Sequence, residues 1–209
     1  MDTLLRLQQT LEKVYSLPHI VDISRFLTHS EAVRGQVKTE EVLFIYQRSE
    51  NLELALFIDQ RVLANLEKND PWKEVHSRNF SDFCTAAEGV SHFVFLMQRV
   101  SEQRPVRPLE LELQGEIDKF VLSSLFLQGQ EKQQEARDLP ESLFENYSLL
   151  PHLSAEEKER YETANRLARR YSALLIKRHP SSLYDLLLEV RQFYPLPLSE
   201  KIHTIQNHR

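Results

Sequence analysis

The stretch Ser81–Val100, SDFCTAAEGVSHFVFLMQRV, is apolar almost all the way round a helical wheel. A helix without a wide polar face cannot rest on a surface, so it needs neighbours on every side and belongs at the centre of a domain. The rest of the chain has to cover it. Arg104-Pro105 ends the pattern, because the residue before a proline is pushed out of the helical region.

A second such segment follows at about 106–128. Its opening, Leu109–Lys119 (LELELQGEIDK), alternates leucine and acid with the period of a strand. Leu, Glu, Gln and Lys are strong helix formers, however, and no β-branched residue precedes Ile117. Leu109, Leu113, Ile117, Phe120, Val121 and Leu127 fall on one helical face, and Leu111, Leu122, Leu125 and Phe126 on another. The spacing predicts a helix sandwiched between neighbours.

The covering elements read as follows. Leu4, Leu7, Leu11 and Val14 mark an amphipathic first helix rather than the unbroken apolar core of a secretory signal. Leu17-Pro18 breaks it, and a short helix is expected over Ile20–Phe26. Glu41–Asp59 changes period to two, which predicts a β-hairpin at about 41–58 joined through the polar run Arg48–Asn51. Its buried face is expected to carry Val42, Phe44, Tyr46, Leu54, Leu56 and Ile58, since two strands alone are marginal in water. A helix near 59–68 stops at Asn69-Asp70-Pro71. Gly129–Ser142 reads as a polar surface loop, followed by a short helix over Leu143–Leu150 that Pro151 stops. Ser154 and Glu157 form a capping box that opens a long helix running to His179-Pro180, and Ser182 caps another to about Phe193. Pro195 and Pro197 lead to a short terminal helix. The expected architecture is mainly α: a single α-rich domain over 1–209, with one packed hairpin and long C-terminal helices at about 154–193.

Composition narrows the function classes. With 41% hydrophobic and 27% charged residues the chain is globular rather than disordered. Four glycines disfavour a glycine-built phosphate loop. The single cysteine, Cys84, excludes an intramolecular disulfide and a cysteine-built zinc site, and points to a reducing, cytoplasmic setting. No run approaches the roughly 20 apolar residues that cross a bilayer, so no membrane association is expected. The net charge of −5 is uneven: sixteen Lys/Arg face twenty-four Asp/Glu up to position 153, and ten face seven after it.

Two polar pairs interrupt the central helices. Glu88 and His92 lie four apart on the first, and Glu112 and Glu116 four apart on the second, beside Lys119. A short connection favours antiparallel packing, which turns these stripes toward each other and gathers three carboxylates and one imidazole. Glu88 and His92 are then candidates for catalytic acid/base work, and all four for divalent-metal ligands. The oxygen-rich set suits Mn²⁺ or Fe²⁺. The competing reading makes Glu88 and His92 a helix-surface pair and gives Glu112 and Glu116 to Lys119 or to basic groups elsewhere in the chain. Glu110 and Asp118 lie on the opposite stripe, so the four acids of the 109–119 stretch cannot converge. HExxH, GxSxG, GxGxxG and P-loop motifs are absent. Cys84, among Phe83, Ala86 and Ala87, reads as an inert thiol.

Arg166, Arg169 and Arg170, at i, i+3 and i+4 near Tyr161 and Tyr171, form a candidate anion-binding patch. A sequence pI near 5.9 disfavours nucleic acid as a partner. With no catalytic motif, the leading expectation is a soluble, non-catalytic interaction or regulatory protein acting on a protein partner or a second copy of itself. The alternatives are a metal-dependent or acid/base enzyme with a Glu/His site between the central helices, and a phosphate or nucleic-acid binder using the arginines.

Overall fold

The computed structural model describes residues 2–28, 39–48, 51–145, 149, 153–180 and 182–207. Among them the helices are α1 (Asp2–Tyr15), α2 (Gln60–Lys68), α3 (Phe80–Ser101), α4 (Pro108–Gly129), α5 (Gln133–Arg137), α6 (Leu139–Phe144), α7 (Ala155–Arg178), α8 (Leu183–Phe193) and α9 (Leu198–Asn207). Three strands, β1 (Leu27–Thr28), β2 (Glu41–Arg48) and β3 (Asn51–Ile58), form one small sheet in the order β1-β3-β2. The protein is mainly α with minor β.

The two apolar helices, α3 and α4, form the central layer, as their patterns require. Side-chain pairs run in opposite directions along them: Arg99 meets Glu110, Ser91 meets Asp118, Lys119 meets Glu88, and Phe83 packs on Phe126. The packing is therefore antiparallel. α1 lies against α3, burying Leu4, Leu7 and Leu11 completely, and α7 covers the other side of α4 through Ala164, Leu167, Ala168 and Tyr171. The capping box at Ser154 and Glu157 is complete, and Ser182 accepts a hydrogen bond from the Asp185 amide at the start of α8. No helix among the described residues is long and apolar enough to cross a membrane.

Several expectations need correction. The 20–26 segment makes only a 3-10 turn, Ile23–Phe26. The supposed loop at 129–142 contains α5 and the start of α6, because Ala136 and Leu139 are buried against the core. Of the helix expected at 143–150, Leu143 and Phe144 belong to α6; positions 146–148 and 150 and Pro151 lie outside the described residues, as do Ser49 and Glu50 of the hairpin connection.

The hairpin exists at the expected place, but its faces differ. Glu41 pairs with Ile58, Leu43 with Leu56 and Ile45 with Leu54. Opposed residues share a face, so Leu54, Leu56 and Ile58 go with Glu41, Leu43 and Ile45. Val42, Phe44 and Tyr46 are on the other side, with Ala55 and Phe57. Tyr46 is 53% exposed whereas Leu56 is fully buried. A slip of one residue exchanges the two faces of a strand, and here the true register turns Glu41 toward α3.

Candidate metal centre

Glu88 and His92 project from α3 into α4, where Glu112 projects back. One ligand atom from each of the three lies within 4.8 Å of the other two. A cation bound at about 2.1 Å from each donor sets its ligands about 3 to 4 Å apart, so the widest pair needs to close by up to about 1 to 2 Å. His92 Nε2 faces Glu112 Oε2 at 3.7 Å, and His92 Nδ1 faces Glu41 Oε1 at 3.5 Å. Neither contact is a hydrogen bond: His92 Nε2 and Glu41 Oε1 are both buried without a hydrogen-bond partner. Buried polar atoms are rarely left so. Arg160 Nε, 3.7 Å from Glu112 Oε1, is a third.

Glu116, the fourth residue expected here, is turned aside. Lys119 Nζ bonds Glu88 Oε2 at 2.9 Å and reaches Glu116 Oε1 at 3.1 Å. That leaves the second oxygen of Glu88 for the centre. The helix-surface reading of Glu88 and His92 does not hold, since His92 is only 6% exposed. The rim is more open, with the Glu88 and Arg160 side chains 26% and 21% exposed.

Two glycines make the crowding feasible. A methyl group at Gly115 would stand 2.8 Å from His92 Nε2, and one at Gly89 would stand 2.7 Å from Glu41 Cγ. Both sit inside helices, where glycine costs about 1 kcal/mol relative to alanine. Gly115→Ala should therefore do the opposite of what propensity dictates. It fills the space beside Nε2 and is expected to destabilise by about 1–3 kcal/mol, the usual cost of overpacking. A denaturant titration checks this; a net gain in stability would show that the imidazole has room to spare.

The electrostatics match a crowded, cation-poor cluster. Burial alone would lower the His92 pKa, but the Glu41, Glu112 and Glu88 carboxylates outweigh it and push it up to about 9. Burial raises Glu112 to about 7, with Glu88 and Glu41 adding to the effect and His92 and Arg160 opposing it. Burial also raises Glu116, against the pull of Lys119. Glu88 is lowered because Lys119 and His92 overcome its desolvation. With His92 protonated, the state its raised pKa favours at neutral pH, the four carboxylates (Glu41, Glu88, Glu112, Glu116) exceed the three cations by one. Displacing that proton, as coordination through the ring requires, leaves an excess of two over Lys119 and Arg160, which one divalent cation would neutralise.

The opposite stripe of α4 builds a separate buried network. Asp118 accepts from Tyr15 Oη, from Ser91 Oγ at 2.5 Å and from Gln114 Nε2 at 2.8 Å. Gln114 Oε1 in turn accepts from Lys201 Nζ of α9 at 2.8 Å. Lys201 is fully buried, with the rings of Phe95, Phe193 and Tyr194 4.6 to 5.8 Å from its ammonium. Burial pulls its pKa down to about 7 and raises Asp118 to about 6. Glu110 goes to Arg99, so the acids of the 109–119 stretch do separate as their spacing requires. Cys84 is only partly exposed, and burial pushes its thiol up to about 12, consistent with an inert side chain.

The three arginines of α7 have no common target. Arg169 pairs with Glu145, Arg170 Nη2 donates to the Gln206 carbonyl at 2.7 Å, and Arg166 is exposed. The groove of about 520 Å³ beside Arg166 and Arg169 is lined also by Glu145 and Glu162, which offset the positive charge. Residues missed by the sequence reading are Glu41, hidden by the hairpin register, and Arg160, one cation among many on a charged helix. Comparison of the chain with models of known families, with characterised proteins and with solved structures returns no match, so the chemistry rests on the geometry of the centre itself.

Proposed function

We propose that this chain binds a divalent cation between α3 and α4, with Glu88, His92 and Glu112 as ligands. The observation that carries this is the buried, unpartnered His92 Nε2 within 4.8 Å reach of carboxylate ligand atoms from Glu88 and Glu112. The reading is favoured over a purely interaction-based role because the polar ends meet in a buried cluster instead of dispersing over a solvated face. Two carboxylates and one imidazole suit Mn²⁺ or Fe²⁺ better than a structural zinc ion. Three protein ligands leave positions of an octahedral ion open, and an ion held that way can activate water or polarise a bound oxygen.

Proton and cation compete for His92. Its folded-state pKa is about 9 against an ordinary 6.5, so its protonation stabilises the cation-free protein fully below about pH 6.5. That contribution, on the order of 3 kcal/mol at most, is lost as the pH rises through about 9. Glu112, raised from 4.5 to about 7, has the same sign in a lower window: its contribution is full below about pH 4.5 and is largely lost by about pH 7, so the fall above that is carried by His92. The expected result is a melting temperature that falls from pH 6.5 to 9 without metal. Mn²⁺ should restore it by binding only the folded state, with a larger shift at pH 8.5 than at 6.5 and none in His92→Phe. If no divalent cation shifts unfolding of the unaltered protein at either pH, the proposal fails.

A further inference from the structure

His92 is bracketed: Glu112 lies off one ring nitrogen and Glu41 off the other. An imidazole coordinates a cation through one nitrogen only while the other keeps its proton, and that second N–H needs an acceptor to fix the ring. Glu41 Oε1 is the acceptor in place. It is buried, has no other hydrogen-bond partner, and stands 3.5 Å from Nδ1, a few tenths of an ångström beyond a hydrogen bond.

The fold is arranged to bring it there. Glu41 sits opposite Ile58 at the base of the hairpin, and the missing side chain at Gly89 of α3 admits both: a Cβ there would be 2.7 Å from Glu41 Cγ and 3.2 Å from Ile58 Cδ1. The neighbouring Glu40 has a different task, pairing with Arg61 of α2 while its carbonyl accepts the Asp59 amide at 2.8 Å. Glu41 is thus the one carboxylate that the strand pair delivers to the ring among the described residues.

We propose that Glu41 is the positioning residue of this centre, holding His92 Nδ1–H so that Nε2 faces the cation, and that it thereby ties the seating of the β2–β3 hairpin to cation occupancy. The inference rests on the cation-binding reading above. Linkage is reciprocal: if the seated hairpin strengthens cation binding, the cation steadies the hairpin by the same factor. A partner that pulls at the hairpin would then release the ion.

The test titrates Mn²⁺ alone into the full chain, reading free Mn²⁺ by electron paramagnetic resonance, for the unaltered protein, Glu41→Gln and Glu41→Leu. Hydrogen exchange of the β2 and β3 amides is followed with and without Mn²⁺. Expected is a 10–100-fold loss of affinity in Glu41→Leu, the usual effect of removing the partner of a ligating histidine. Glu41→Gln, whose amide oxygen still accepts the Nδ1 proton, should stay within several-fold of the unaltered protein. Exchange in the unaltered hairpin should slow when Mn²⁺ binds, a readout that stands even if the leucine variant does not fold. Equal losses in both variants would place Glu41 in the coordination sphere and overturn the positioning role. Unchanged hairpin exchange with Mn²⁺ bound would overturn the coupling while the cation-binding reading stands. No Mn²⁺ binding by the unaltered protein would overturn that reading itself.

Discussion

Lys119→Met is expected to cost the cation-free protein about 3–5 kcal/mol of unfolding free energy, the range for breaking a buried ion pair from one side. Lys119 holds Glu88 at 2.9 Å and Glu116 at 3.1 Å, and those charges raise its pKa although burial alone would lower it. Methionine fills much the same volume and leaves both carboxylates without their cation. Packing is kept, so the loss reads the charge. The variant also interrogates the centre, because its excess negative charge rises by one and a divalent cation should recover a larger share of stability than in the unaltered protein. Denaturant titrations with and without Mn²⁺ measure both effects. Stability unchanged by the substitution would mean that the two carboxylates are protonated or solvated instead of paired.

Arg99→Met should cost a similar 3–5 kcal/mol. Arg99 is 1% exposed and bonds Glu110 at 3.1 Å, the carbonyls of Tyr194, Pro195 and Leu196 at 3.1 to 3.3 Å, and Glu102 at 3.3 Å. One planar guanidinium thereby satisfies a buried carboxylate and three carbonyls of the turn between α8 and α9, sharing that of Pro195 with Arg104 Nη1 at 2.9 Å. Arg99→Lys should not rescue it, since an ammonium presents a point charge where a fork is needed. Hydrogen exchange should show 194–207 loosening first. Uniform loosening of all helices would indicate that the turn has other anchors.

The helical frame was readable because periodicity reports burial directly. Leu4, Leu7 and Leu11 are fully buried as spaced, and the two-faced patterns of α3 and α4 put them at the centre. From antiparallel packing of those two helices the meeting of Glu88, His92 and Glu112 follows, because each helix fixes where its stripe points. Rotamer choice does not follow from spacing, which is why Glu116, one turn from Glu112, goes to Lys119. Nor was Glu41 accessible. Both faces of the hairpin are rich in apolar residues, so alternation alone does not settle which strand face opposes which. Arg160 differs from its basic neighbours on α7 only in what lies beneath it. Ala136 and Leu139, isolated in a polar run, were too few to show a period, and α5 and α6 were missed for that reason.

A side chain that water does not reach is also closed to reagents dissolved in it, and Lys201 is such a side chain. Amine acylation of a lysine sealed among three rings has to wait for α9 to lift, whereas Lys13 and Lys68 are open to the reagent at all times. The ratio of the two labelling rates is a clock for opening of the last helix, and its logarithm is the free energy of that opening when closure outpaces the reagent. The protein thus carries a native chemical probe of its own C-terminal docking, read from the masses of the peptide that holds Lys201 and a reference peptide that holds Lys13 or Lys68.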